Sequence, residues 1–364
     1  MIIGIDAREL INKNGAGKAM YVQSLLPRLF KLGQGHQFIL YLDGDAPTNL
    51  PDNVRTVVYK VPTIFWHAVV AMRINLSREI NLYFAPTSGI VPTLLVNIKS
   101  ILTVMDLVAF IFKEKHTTFT SVLERIFVTS GVKKAVQILA ISEHTKQDLL
   151  KLFDLPKNKI VTIPLAAKDI FRKPVLLKDK LRVVVRYKLP KKFLLFVGTI
   201  EPRKNIQRIV EAFKGLNDPS LKLVLIGKKG WLYQELFDLL AKEDLRERVV
   251  WLGYVKDADL PSFYALAEVF VWPSLYEGFG LPILEAMSVG TPVVTSRISS
   301  MLEVAGEAAV LVDPKSVADI TKGIKKASKS RDTLTKKGKK QVAKFSWDKT
   351  AAETWRVIEK TLSE

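Results

Sequence analysis

The sequence predicts an α/β protein built as two parallel-sheet domains. Three observations carry this expectation. Short apolar runs alternate with amphipathic stretches along the whole chain, the pattern of repeated strand–helix–strand units. The chain has 364 residues, too many for one compact core and comfortable for two. A charge-rich stretch, 165–192, contains Pro174 and Pro190 and lies between two such arrays.

In the first array the apolar runs place strands near Ile2–Asp6, Gln37–Leu42, Val54–Lys60, Leu82–Ala85, Ser100–Val104, Gln137–Ile141 and Lys159–Ile163. Helices fall between them. One runs from Gly17 to Leu32, and another from Ser142 to Phe153 with Ser142 as its N-cap. In the second array strands fall near Phe193–Gly198, Lys222–Ile226, Val249–Leu252, Val269–Trp272, Pro292–Thr295 and Ala309–Val312, with Ile206–Leu216 helical. The expected division is a first domain over 1–168, a linker over 169–192, a second domain over 193–345 and a terminal helix over 346–364. Ser346 or Asp348 stands near the cap of that last helix. Open parallel sheets bind ligands beyond the carboxyl ends of their strands, so the expected site lies between the domains.

Bulk composition narrows the function classes. Hydrophobic residues make up 48% and charged residues 25%, an ordinary balance for a globular protein. No run of 18 uncharged apolar residues appears, so no membrane-spanning helix is expected. The chain opens directly on an apolar strand, with no basic lead and no cleavage site, which argues against a signal peptide and for a cytoplasmic location. The absence of cysteine excludes disulfides and thiolate metal sites. His36, His67, His116 and His144 are far apart in sequence and form no local metal motif.

The net charge of +19 is concentrated. Residues 172–192 hold nine Lys/Arg against one acid, and residues 322–344 hold ten against one. Residues 193–321 sum to −4. Two solvated basic faces are one reading of this pattern. The other is attraction to an anionic acceptor or to the cytoplasmic face of an anionic membrane, worth about 1 kcal/mol per surface Lys or Arg. Neither segment interleaves aromatics with its charges, so no nucleic-acid partner is expected.

The densest chemical signal is Ser274-Leu275-Tyr276-Glu277-Gly278-Phe279-Gly280-Leu281-Pro282-Ile283-Leu284-Glu285-Ala286-Met287, directly after an apolar strand. A helix starting near Leu281 puts Glu285 in its second turn and leaves Glu277 in the loop. Backbone N–H groups of Gly278, Phe279, Gly280 and Leu281 then point above the sheet, where a helix N-terminus suits a phosphate. A carboxylate one turn in suits a pair of ribose hydroxyls, being acceptor-only. Arg203 and Lys204 follow another strand and can neutralise a diphosphate from its carboxyl end. Gly15-Ala16-Gly17-Lys18 opens a helix near the first strand. It fails as a dinucleotide fingerprint at Met20 and as a P-loop at Ala19, and is left as a glycine-rich turn that a phosphate can approach closely. Asp106 follows a strand and reads as a helix cap or a catalyst. Ser142, Glu143 and His144 begin a helix, where capping by Ser142 is the simpler role. Phe65-Trp66-His67 with Val69-Val70-Ala71-Met72 makes an apolar helix face expected to pack into the core, the other reading being an exposed membrane or acceptor surface that sits on lipid beside basic residues.

The Glu277–Glu285 run resembles the E-x7-E signature of retaining glycosyltransferases of family 4, whose fold is GT-B, two Rossmann-like parallel-sheet domains facing across a cleft. Gly198-Thr199-Ile200-Glu201-Pro202-Arg203-Lys204-Asn205, Trp251-Leu252-Gly253-Tyr254 and Gly290-Thr291-Pro292-Val293-Val294 extend the resemblance in the right order over most of the chain. The resemblance implies a terminal helix that returns to the first domain. It implies that Gly15 and Gly17 touch the donor diphosphate and that Lys204 is the phosphate-binding lysine. The family's other basic position is Thr199 here, and Arg203 stands in for it. Glu285 is implied as the ribose acceptor and Glu277 as the residue beside the donor sugar and its phosphate. Gly227, Lys228, Tyr254 and Val255 are implied to border the base.

The activity implied is retaining hexosyl transfer from a nucleotide diphosphate sugar to a hydroxyl of a glycan or lipid-linked acceptor, without an obligatory metal or other cofactor. GDP-mannose is the expected donor, because the family spellings near this one include mannosyltransferases of surface polysaccharides. Catalytic roles fall on Asp106, Lys204 and Glu277. One departure stands out: the family commonly has histidine before the aspartate, and this chain has Met105, which cannot donate a hydrogen bond to a sugar hydroxyl. Two alternatives therefore remain open. One is another GT-B enzyme, such as a nucleotide-sugar epimerase or a sugar-phosphate synthase. The other is a catalytically inactive nucleotide-binding subunit.

Overall fold

A computed structural model of the 364-residue chain describes all residues except Lys13, Asn14, Ala16, 113–118, 231–233 and Lys242, together with the side chains of Phe119, Thr120, Ser121, Glu124, Glu235, Glu243 and Asp244. Ala16 of the glycine-rich turn and His116 lie outside the described residues. Two compact units form: Met1–Leu165 with Ser346–Glu364, and Ala166–Phe345.

Among the described residues, the first unit holds β1 (Ile2–Asp6), β2 (Gln37–Leu42), β3 (Val54–Val58), β4 (Leu82–Ala85), β5 (Lys99–Val104), β6 (Gln137–Ala140) and β7 (Ile160–Thr162). They make one parallel sheet in the order β3-β2-β1-β4-β5-β6-β7. Strand order reverses beside β1, so the carboxyl ends of β1 and β4 flank the crevice where such sheets bind ligands. Strands such as β4 read as continuous apolar runs because both faces of the sheet are covered.

The helix Trp347–Ser363 belongs to this unit and packs on the helix Gly17–Leu32. Ser346 caps it, accepting the N–H of Lys349. Trp347 lies 6.2 Å from the Tyr21 ring, Arg28 pairs with Asp348 at 2.7 Å, and Thr350 donates to Pro164 O at 2.6 Å. Trp355 fills the space beside Gly33, where any Cβ would meet its ring at 2.7 Å.

The second unit holds β8 (Phe193–Val197), β9 (Lys222–Ile226), β10 (Val249–Gly253), β11 (Val269–Trp272), β12 (Val293–Ser296) and β13 (Val310–Val312). Their sheet is parallel, in the order β10-β9-β8-β11-β12-β13, and reverses beside β8. The carboxyl ends of β8 and β11 therefore flank its crevice, and these are the strands that carry the Arg203–Lys204 and Glu277 loops.

Two expectations are corrected. The stretch 169–192 is no linker: it folds as a 3-10 turn, Asp169–Arg172, and a helix, Leu177–Tyr187, within the second unit. Its few apolar anchors do this. Phe171, Val183 and Leu189 are buried, Tyr187 packs edge-on to Phe263 at 5.0 Å, and Arg182 and the Tyr187 hydroxyl both donate to buried Asp259. The surrounding lysines hid those anchors from a reading by composition. The second correction concerns Phe65 and Met72 of the helix Thr63–Ser77. Trp66, Val70 and Ala71 enter the core, but Phe65 and Met72 are exposed, together with Ile64 and Leu76.

Candidate active site

The second unit's site begins with two glycines at strand ends. Gly198 (φ 153°) ends β8 and Gly227 (φ 148°) ends β9. A Cβ on Gly227 would sit 1.8 Å from Gly198 O, so only glycine allows the two loops to touch. After Gly198 the chain pairs with its neighbour through Ile200 N–H to Lys228 O at 2.9 Å and then turns into the 3-10 segment Pro202–Lys204. Asn205 locks that turn in a left-handed conformation (φ 62°), its amide donating to Pro273 O at 2.9 Å and Pro314 O at 2.6 Å. Leu275 N–H donates to Arg203 O at 2.8 Å, which ties the turn directly to the Glu277 loop.

Glu277 is the hub. Its Oε1 accepts from Lys204 Nζ at 2.7 Å and its Oε2 pairs with Arg203 Nη1 at 2.7 Å. Arg203 also donates to Tyr276 O at 2.8 Å and to Glu201 Oε1 at 2.5 Å. Lys204 Nζ lies 4.7 Å above the Trp272 ring. Burial disfavours ionisation of Glu277, but Lys204 and Arg203 outweigh it and hold the carboxyl below its usual range. Burial pulls the Lys204 ammonium below its ordinary value, against the attraction of Glu277. Two carboxylates and two cations thus make a cluster of zero formal charge. An incoming phosphate can take over donors that Glu277 now occupies.

The backbone around Glu277 is equally constrained. Ser299 Oγ accepts the Glu277 N–H at 3.2 Å and donates to Glu277 O at 2.7 Å. Ser300 Oγ donates to the carbonyls of Glu277 at 2.8 Å and Phe279 at 2.7 Å. Ser299 itself has φ 58° and ψ −160°, a sparsely populated conformation for a residue with a Cβ. Neither serine is legible in the sequence, since nothing local marks a partner 22 positions downstream.

The expected helix start is where the structure has it: Leu281–Ser288, with Gly280 (φ 123°) as N-cap and Pro282 in the first turn. Gly278, Phe279 and Gly280 are buried and Leu281 half-buried. The Phe279 ring is a core element, edge-on to Phe345 at 5.9 Å, so only its backbone is left to meet a ligand. Glu285 sits in the second turn, where Tyr264 donates to its Oε2 at 2.8 Å. Burial pushes the Glu285 carboxyl up to about 7, with Tyr264 and Lys168 acting the other way and Asp257 adding to the rise. Tyr264, fully buried between Phe171 and Phe270, is a second residue that sequence reading missed.

The remaining candidates divide. Tyr254 is 54% exposed and stacked by Lys228, whose Nζ is 5.0 Å from the ring. Val255 turns its side chain into the core, leaving its backbone for any ligand. Gly227 O accepts from Trp251 Nε1 at 3.0 Å.

In the first unit, Asp106 is exposed and accepts the Val108 N–H at 3.1 Å, the geometry of a turn or cap, beside half-buried Met105. Ser142 caps its helix, accepting the N–H of Thr145. Gly15 needs to be glycine, since a Cβ there would meet Ala19 Cβ at 2.3 Å, whereas a Cβ on Gly17 meets nothing within 4 Å.

The first unit contains a cavity of about 790 Å³ that sequence reading did not anticipate, lined among others by Arg8, Asn12, Lys18, Asp43, His67 and Phe127. Arg8 is fixed there by Asp6 (Nε to Oδ1 3.0 Å, Nη2 to Oδ2 2.8 Å) and stacks on Trp66 at 4.1 Å. It also donates to His67 Nε2 at 2.9 Å, which keeps that nitrogen an acceptor. Burial and the adjacent guanidinium push the His67 pKa down to about 4, so the ring is neutral at physiological pH. A signal existed: Asp6 and Arg8 flank the carboxyl end of the first strand, the edge where such sheets bind ligands.

Residues 178–343 match the family described as glycosyl transferases group 1, a segment that contains Arg203, Lys204, Glu277 and Glu285. The matched segment is similar to a group 1 glycosyl transferase domain. It is 37% identical over 233 residues to O-antigen chain mannosyltransferase B of Escherichia coli, a match covering 62% of this chain and 60% of that protein. It is 33% identical over 236 residues to the serotype-specific mannosyltransferase WbdA of Escherichia coli, covering 60% of this chain and 28% of that protein. The chain thus matches well short of the full length of these relatives. Sucrose-phosphate synthase from Thermosynechococcus elongatus has the same fold, with a TM-score of 0.79 at 19% identity over 100% of this chain and 99% of that one. The fold of the chain is accordingly GT-B, with two Rossmann-like parallel-sheet units. Among the described residues, no helix is long and apolar enough to cross a membrane.

Proposed function

We propose that this protein is a retaining hexosyltransferase that moves mannose from GDP-mannose to a hydroxyl of a glycan or lipid-linked acceptor in surface-polysaccharide synthesis. The observation that carries the proposal is the Lys204–Glu277–Arg203 cluster, which joins the Arg203–Lys204 turn to the loop that opens the Glu285 helix, inside the segment that matches group 1 glycosyl transferases. The mannosyltransferase names of its relatives support the choice of sugar.

In this reading the diphosphate lies over the backbone of residues 278–281 with Lys204 and Arg203 beside it. Glu285 accepts the ribose hydroxyls, and Gly227, Tyr254 and Val255 border the base. The bond between the anomeric carbon and the phosphate oxygen breaks as the acceptor oxygen attacks from the same face. The departing phosphate oxygen takes the acceptor proton, so atoms and charge balance without a dedicated protein base. The two cations stabilise the charge that develops on the leaving diphosphate, the task a metal performs elsewhere, and no obligatory metal is required. The first-unit cavity around Arg8 and His67 receives the acceptor, its mixed polar and apolar wall suiting a sugar. The protein works in the cytoplasm, and its net charge of +19 draws it to an anionic membrane face.

Thermal-shift titration with GDP, UDP and ADP in the presence of EDTA tests the nucleotide, because a ligand of the native state raises the melting point. A shift with GDP, followed by GDP release from GDP-mannose, is the expected result. Binding without turnover or hydrolysis would point instead to an inactive subunit. No shift with any nucleotide would overturn the reading.

A further inference from the structure

The two basic segments of this chain differ in what accompanies the charge. In the helices Val317–Lys329 and Arg331–Val342, the apolar side chains Ile320, Ile324, Ala327 and Leu334 are all buried, leaving a solvated basic face. The helix Leu177–Tyr187 behaves otherwise. Leu177, Leu181 and Val185 stand four residues apart, on one face, and are 71%, 56% and 77% exposed. Leu176, just before the helix, is 49% exposed. Only the opposite side is anchored, through buried Val183 and through Tyr187 against Phe263.

Cations rim this apolar stripe. Lys178, Arg182 and Arg186 run along one edge, and Lys188 stands at its end. Arg182 and Arg186 keep about half of their side-chain surface exposed although they pair with Asp259, at 3.0 and 3.6 Å. The helix has one acid, Asp179, within 3.4 Å of Arg182. Exposed aliphatic side chains with a cationic border are the composition of a helix that lies in a lipid interface: the apolar row enters the acyl boundary and the cations meet the headgroups. By contrast, the exposed apolar row of the helix Thr63–Ser77 is accompanied by Arg73 on the helix and Arg78 at its C-cap, fewer cations than border Leu177–Tyr187.

We propose that the helix Leu177–Tyr187, through Leu177, Leu181 and Val185 and the cations beside them, is the docking surface of this protein for an anionic lipid bilayer. The assignment rests on the proposed membrane-face location and names the surface that serves it. It makes residues 322–344 a solvated face with a lesser part in binding.

The test is flotation of the full chain with vesicles of phosphatidylcholine alone and of phosphatidylcholine with phosphatidylglycerol. The expected result is binding to the anionic vesicles only, falling at least about tenfold when Leu177→Ser, Leu181→Ser and Val185→Ser are combined. Combined Lys325→Gln, Lys326→Gln and Lys329→Gln should reduce binding less. Nucleotide binding by both variants checks that the fold is intact. The chain has no cysteine, so Leu181→Cys and Lys326→Cys each carry a single polarity-sensitive dye, expected to shift to the blue on anionic vesicles at 181 and not at 326. Failure of the wild type to bind anionic vesicles would overturn the membrane-face reading itself. Binding that survives the serine variant, or equal binding to neutral vesicles, would overturn only the assignment of this surface. A wild-type dimer in solution that the serine variant dissociates would replace the bilayer with a second copy of the chain.

Discussion

Tyr264 donates its phenolic hydrogen to Glu285 Oε2 at 2.8 Å, from a position where the tyrosine has no exposed surface. The bond fixes one oxygen of the carboxylate. It also supports the ionised form of a carboxyl that burial pushes up to about 7.

A pH dependence follows. If ionised Glu285 is the ribose acceptor, nucleotide affinity should fall about tenfold for each pH unit below 7. For folding the sign is separate. A carboxyl raised from its ordinary value of 4.5 to about 7 binds its proton more tightly when folded, so its contribution to stability declines as pH rises through that window. Lys168, Asp257 and Tyr264 are the charged or titratable groups acting on it. Calorimetric titration of GDP from pH 5.5 to 8 should show the fall, and Glu285→Gln should flatten it. Tyr264→Phe removes a donor to the carboxylate and should move the midpoint to higher pH. A flat wild-type profile would remove Glu285 from the nucleotide site.

Glu277→Gln should be destabilising. The side chain is 10% exposed and is the counterion of both Lys204 and Arg203, and removing one member of a buried charge pair typically costs about 3 kcal/mol. Urea denaturation should show this loss in the absence of ligand, with saturating GDP recovering part of it. A variant as stable as the wild type would mean that the two cations are not held in place by this carboxylate.

Lys204→Ala should lower turnover about a hundredfold, the scale of a lost charge-stabilising donor, with a smaller effect on acceptor KM. Steady-state kinetics with GDP-mannose separates the two. A change in KM alone would place Lys204 in ground-state binding.

Gly227→Ala and Gly17→Ala should behave oppositely. At Gly227 the Cβ would lie 1.8 Å from a carbonyl oxygen in a φ region that favours glycine, so the melting temperature should collapse. At Gly17 no neighbour lies within 4 Å, and alanine in a helix should stabilise by about 0.4–1 kcal/mol. Loss of nucleotide affinity in the stable Gly17→Ala protein would then report close approach of the ligand, since folding is unaffected.

Asp106→Asn separates the turn from catalysis, because asparagine can still accept the Val108 N–H. Preserved turnover would leave Asp106 with its turn role alone. A drop of several orders of magnitude at unchanged stability would give it a catalytic one.

By itself, the sequence determined the two parallel sheets, nearly every strand, the helix start at Leu281 and the loop position of Glu277. These depend on short-range chemistry: runs of apolar residues long enough for a strand, glycines where φ must be positive, and proline in a first turn. Tertiary structure alone decided what each of those residues touches. Ser299 reaches Glu277 across 22 positions, Tyr264 reaches Glu285 across 21, and Arg8 reaches His67 across 59. No local pattern encodes such pairings, because they arise where elements distant in sequence pack side by side. Burial was hidden for the same reason. The charge-rich stretch 169–192 reads as solvated until Phe171, Val183 and Leu189 are seen to be buried, and Phe65 reads as core until its helix turns it outward. Composition reports what a segment could bury, and only packing fixes which face does.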